Sequence, residues 1–131
     1  GNGRINVPTR HREVLMTHAN GQLTLSRHPD GCVMVCPRPV WEEFREKLMT
    51  LPWEATKWRR IFLGSAQPVE IDSAGRLLVA PELRASAGLM RDVLLMGMGT
   101  RLELWDAQRY AVHEAEILSG EMPDAIKSFV F

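Results

Sequence analysis

Apolar positions along this 131-residue chain follow two periods, and the periods succeed one another in the same order twice. Alternation of period two predicts strands over 4–7, around Leu23 and Leu25, and over 32–36, 69–72, 76–80, 93–96 and 101–105. Helical spacing fills the intervals. Pro8 opens a helix to about His18, with Val14 and Leu15 on its apolar side and Asn20-Gly21 as its stop. Pro39 starts the clearest helix, where Trp41, Phe44, Leu48 and Leu51 recur at i, i+3, i+7 and i+10 while Glu42, Glu43, Arg45, Glu46 and Lys47 lie off the stripe. Pro52 ends it. Another helix, about Glu54 to Leu63, carries Trp58, Ile61 and Phe62 on one side, and Gly64 and Pro68 bound a short linker. In the second half Pro81 begins a helix over 81–87 that Gly88 closes. A last helix, capped by Asp106, carries Ala111, Ala115 and Leu118 as far as Gly120 and Pro123. Pro29-Asp30-Gly31 and Gly97-Met98-Gly99-Thr100 read as hairpin turns.

Each half is thus strand, strand, short helix, strand, strand, longer helix. Units this small bury little surface alone, so the two are expected to share one core. The expected class is α+β, with a first unit over 1–53, a connecting helix and linker over 54–67, and a second unit over 68–131.

Both halves carry one motif. In Asp72-Ser73-Ala74-Gly75-Arg76-Leu77-Leu78-Val79-Ala80-Pro81, the short carboxylate of Asp72 starts a turn by accepting backbone N–H groups, and Gly75 supplies a positive φ. Leu77 and Val79 then face one way and Arg76, Leu78 and Ala80 the other. An arginine is fixed beside a tight turn. Gly3-Arg4-Ile5-Asn6-Val7-Pro8 with Arg12 repeats Gly75-Arg76-Leu77-Leu78-Val79 with Pro81 and Arg84 at an offset of 72 residues, the proline arriving one residue later in the second copy.

This duplicated Asp-x-x-Gly-Arg…Pro-x-x-x-Arg pattern resembles the MraZ family of bacterial transcriptional regulators. The likeness extends over Ile61-Phe62-Leu63-Gly64-Ser65-Ala66 and Leu102-Glu103-Leu104-Trp105-Asp106. It implies two tandem pseudo-symmetric AbrB-like swapped-hairpin units, with helices between and after them. It also implies sequence-specific binding of double-stranded DNA, ring-like homo-oligomers, residence in the cytoplasm at the nucleoid, and action on the promoter of the division and cell-wall gene cluster. The first copy's aspartate, and a strand ahead of it, would precede Gly1; the natural chain is expected to be longer there, and the ending Ser128-Phe129-Val130-Phe131 reads as abrupt.

By this likeness the DNA-binding residues are Arg4 and Arg76, then Arg10, Arg12 and Arg84, with Gly3, Asp72 and Gly75 forming the turns. Arginine suits the task because its rigid fork matches phosphate oxygens or the O6/N7 edge of guanine. An arginine paired with its own turn aspartate is the structural alternative for Arg76, and a solvated helix face is the alternative for Arg10, Arg12 and Arg84. Lys57, Arg59 and Arg60 around Trp58 read first as one solvated face.

Composition qualifies this reading. Net charge is zero, which lacks the basic excess usual in a DNA binder. Residues 1–60 carry 10 Lys/Arg against 6 Asp/Glu, so the first half alone is mildly basic. An oligomer that gathers arginine-bearing edges can build a basic surface from neutral protomers. No apolar run approaches the ~20 residues of a membrane helix. Gly-rich phosphate loops, His-Glu-x-x-His and Gly-x-Ser-x-Gly are all missing, so no enzyme and no cofactor are expected. Cys32 and Cys36 on one strand would lie about 13 Å apart at ~3.3 Å per residue, too far for a disulfide. Laid along the same line, His28, Cys32 and Cys36 are too spread for one zinc, so buried reduced cysteines and no metal are expected. The competing function is a non-enzymatic oligomeric protein–protein interaction scaffold.

Overall fold

The computed structural model describes residues 3–129, apart from the side chain of His18; Gly1, Asn2, Val130 and Phe131, including the end of the apolar tail singled out above, lie outside the described residues. Its elements run β1 (Arg4–Asn6), α1 (Thr9–Ala19), β2 (Gln22–Arg27), β3 (Val33–Pro37), α2 (Arg38–Met49), α3 (Thr56–Gly64), β4 (Gln67–Glu70), β5 (Arg76–Leu78), α4 (Pro81–Ala87), β6 (Val93–Met98), β7 (Arg101–Asp106), α5 (Ala107–Ser119) and α6 (Asp124–Lys127). A single 3-10 turn, Trp53–Ala55, leads into α3. The chain is α+β. Among the described residues, strand β1 pairs only with β5, and the other five strands form an antiparallel sheet in the order β4-β2-β3-β7-β6.

One core holds both halves. Val7, Leu15, Leu23, Leu25, Val33 and Val35 of the first half pack with Leu77, Val79, Leu83, Leu95, Leu102 and Leu104 of the second. The β1–β5 ribbon and helices α1 and α4 thus close one face of the sheet. On the other face Met34, Cys36 and Trp41 are buried, with Phe44, Phe62 and Leu63 packed against them from α2 and α3. Covering both faces explains why β2 does not alternate: Thr24 and Ser26 are as buried as Leu23 and Leu25. Ser26 tolerates this because its hydroxyl donates to the Phe62 carbonyl at 2.8 Å. Pro68 sits in β4 because β4 is an edge strand, where a missing N–H costs no ladder bond.

Several expectations need correction. The second hairpin tip is only Gly99-Thr100, since Gly97 and Met98 continue β6 opposite Leu102 and Arg101. Leu51 falls beyond the end of α2 and is exposed, so the stripe stops at Leu48. Trp58 is more than half exposed although Ile61 and Phe62 beside it are partly covered. Helix α5 meets the body through Tyr110 and His113, whose rings lie against Trp105, the first edge-on at 5.2 Å and the second tilted at 4.8 Å. Its Ala111, Ala115 and Leu118 face solvent rather than core.

Candidate nucleic-acid interface

The ribbon is built by the duplicated motif. Register pairs Arg4 with Leu78, Ile5 with Leu77 and Asn6 with Arg76. Because side chains alternate, Ile5 and Leu77 turn to the core, while Arg4, Asn6, Arg76 and Leu78 share the outer face. Arg4, Asn6 and Leu78 are exposed there and Arg76 is half-exposed. The two arginines stand as diagonal neighbours across the ladder, Cα atoms roughly 7–8 Å apart in such a pair.

Cross-bonding between the copies holds them. Gly3 and Gly75 both adopt positive φ, +83° and +76°, which side-chain-bearing residues rarely adopt. Their carbonyls accept from the other copy: Val79 N–H donates to Gly3 and Val7 N–H to Gly75, each at 2.9 Å. Arg12 Nε donates to the Val7 carbonyl at 2.7 Å, and Arg84 Nε to the Val79 carbonyl at 3.1 Å. Each guanidinium also lies over the glycine of the opposite copy: a Cβ on Gly3 would stand 3.2 Å from that of Arg84, and one on Gly75 would overlap that of Arg12. Helices α1 and α4 begin at Thr9 and Pro81, again 72 residues apart, so the displaced proline shifts no boundary.

At the second turn, Asp72 Oδ1 accepts the backbone N–H groups of Ala74 and Arg76, both at 2.9 Å, and Oδ2 accepts Arg76 Nε at 3.1 Å. These bonds, the Arg76 N–H foremost, hold the Asp72 carboxyl below the usual carboxylate range. The pairing of Arg76 with its own turn aspartate is therefore present, yet it engages one edge of a side chain that stays 43% exposed. Arg10 is exposed in the first turn of α1, whereas Arg12 and Arg84 are half-buried frame residues. Arg59 leaves the basic cluster of α3 to bond the carbonyls of Leu48, Leu51 and Pro52.

Arg91 was not legible beforehand. It lines a cavity of about 340 Å³ together with Gly3, Arg4, Asn6 and Arg84. Position 19, its counterpart at the 72-residue offset, is alanine, so duplication carried no signal for it.

The expected spread of His28 and Cys32 is also corrected. Pro29-Asp30-Gly31 reverses the chain, so the two face each other across the hairpin, with His28 N–H donating to the Cys32 carbonyl at 3.1 Å. Glu103, from the neighbouring strand β7, completes a group whose ligand atoms all lie within 4.8 Å of one another. Both cysteines are buried and free. Burial pushes the Cys32 thiol up to about 12, with Glu103 and Asp30 adding to the rise, and the Cys36 thiol up to about 11.

Comparison with known proteins agrees with the motif. Residues 62–125 match the family model described as "MraZ protein, putative antitoxin-like". A relative from Leptothrix cholodnii is 61% identical over 129 residues, covering 98% of this chain and 88% of its own. Relatives from Variovorax paradoxus and Ralstonia pickettii are 57% and 55% identical, each over 98% of this chain and 91% of theirs. All three bear the name "Transcriptional regulator MraZ". With its duplicated Gly-Arg ribbon and this identity over nearly its whole length, the chain belongs to the MraZ family.

Proposed function

We infer that the protein is a non-enzymatic, sequence-specific DNA-binding transcriptional regulator. It acts at the nucleoid on the promoter of the division and cell-wall gene cluster and works as a homo-oligomer. The observation that carries this reading is the outer face of the β1–β5 ribbon, where Arg4 and Arg76 stand side by side on a frame built twice from one motif. A two-stranded ribbon fits the major groove, and an arginine fork there addresses guanine or flanking phosphates. Arg10 adds a phosphate contact from α1. Arg12 and Arg84 serve the interface by fixing the ribbon ends. The tandem swapped-hairpin reading, with units over 1–53 and 68–131, draws support from the exchange of strands: β4 and β5, joined by the Asp72 turn, pair with β2 and β1 of the other unit.

The test is a titration of a fluorescent promoter fragment with the protein and with Arg4→Ala and Arg76→Ala. Each variant is expected to lose about 1–3 kcal/mol of affinity per contact, more where oligomeric avidity multiplies the loss. Their melting transitions should remain cooperative. Unchanged binding by both would overturn the assignment and return the molecule to the protein–protein scaffold.

A further inference from the structure

The geometry points to a second site, remote in chemistry from the arginine ribbon: His28, Cys32 and Glu103 form a binding site for a thiophilic divalent cation of the zinc class. The three residues supply imidazole nitrogen, thiolate and carboxylate, the donors such ions take. Cys32 and Glu103 are 2% and 8% exposed, so this is not a solvated surface cluster. Trp105 Nε1 donates to Glu103 Oε1 at 3.0 Å, which fixes the carboxylate and leaves Oε2 aimed at His28 Nε2. Those two atoms are 3.8 Å apart, too far for a hydrogen bond. Ligands of one tetrahedral zinc stand about 3.3–3.6 Å apart, so a group whose atoms lie within 4.8 Å of one another needs to close by about 1.2–1.5 Å at most. A thiolate and a carboxylate together neutralise a divalent ion, which suits a buried position.

The surroundings fit as well. Asp30 Oδ2 lies 3.9 Å from His28 Nδ1, placed to accept a proton there when Nε2 binds metal. Such carboxylate–histidine–metal relays orient the ring. In the metal-free arrangement Asp30 N–H donates to Nδ1 at 3.0 Å, so binding shifts the imidazole proton from Nε2 to Nδ1 and exchanges that backbone bond for the carboxylate. The Cys32 S–H bond breaks, its proton leaves to solvent, and a sulfur–metal bond replaces it. A cavity of about 420 Å³, lined by His28, Cys32, Lys57 and Trp58 among others, opens onto the pair and offers both an entry and room for a fourth ligand. Bound there, the ion ties the β2–β3 hairpin of the first unit to β7 of the second.

Cobalt(II) is the probe, titrated into tag-free protein under reducing conditions. The expected result is a near-ultraviolet thiolate-to-cobalt band that saturates at one ion per chain and is bleached by zinc. Cys32→Ser should abolish the band, and Cys36→Ser should keep it. His28→Ala and Glu103→Gln should weaken binding at least tenfold. Asp30→Asn, on a side chain 56% exposed and outside the core, should weaken it by about 10–100-fold without disturbing the fold. Absence of the thiolate band at millimolar cobalt would overturn the site, as would its persistence in Cys32→Ser or indifference to Asp30→Asn. None of these outcomes depends on DNA binding.

Discussion

At the scale of single residues, Asp72 links the turn to the charge beside it. Its carboxyl is held below the ordinary range by the N–H groups of Arg76 and Ala74 and by the Arg76 guanidinium. A carboxylate lowered on folding contributes stability above its unfolded pKa and loses it as pH falls through the folded value. Asp72→Asn keeps a hydrogen-bond acceptor and removes the charge. Its melting temperature should therefore lie below that of the wild type at neutral pH, with the gap closing in acid below the usual carboxylate range; a gap independent of pH would contradict the account. Duplication made the residues of this turn legible: a glycine and an arginine recur at a fixed offset only if their backbone job recurs. Arg91 has no such echo. The His28–Cys32–Glu103 group needs the pairing of β3 with β7, which joins residues about seventy positions apart and leaves no local period to read.

At the scale of elements, the ribbon depends on each copy bracing the other. Gly75→Ala places a methyl group at positive φ against the Arg12 guanidinium. It should cost about 1–3 kcal/mol in urea unfolding. Arg12→Ala removes the donor to the carbonyl of buried Val7, just past β1, and should cost about 1–2 kcal/mol. Because Arg12 lies over the opposite copy's turn, each change should also lower DNA affinity if Arg76 binds as proposed; full affinity with reduced stability would show the ribbon to be independent of its frame. Prolines and left-handed caps located these helices to within a residue: Pro8 precedes α1, Pro81 opens α4, and Asn20 and Gly88 stop them, whereas α2 begins at Arg38 after Pro37, one residue before the expected Pro39. Periodicity misjudged burial wherever both sheet faces are covered, as at Thr24 and Ser26, and wherever a helix has little to pack on, as in α5. Alternation reports one polar face, and β2 has none.

At the scale of the whole molecule, the protomer leaves large apolar side chains uncovered: Trp53 is 80% exposed and Leu118 77%. Trp41, by contrast, is core. We expect light scattering at micromolar concentration to give a multiple of the 14.8 kDa protomer, and a clean protomer mass would contradict it. In the proposed assembly, several ribbons brought together would build a basic surface from protomers that carry no net charge. The most direct measurement is the affinity of the promoter fragment as a function of salt, for the wild type and for the Arg4→Ala, Arg76→Ala double variant. Phosphate neutralisation makes the logarithm of affinity fall linearly with the logarithm of salt, by about 0.9 per phosphate contacted. The account predicts a steep wild-type line and a distinctly shallower, weaker one for the double variant at unchanged fold. Two lines of the same slope and height would contradict it.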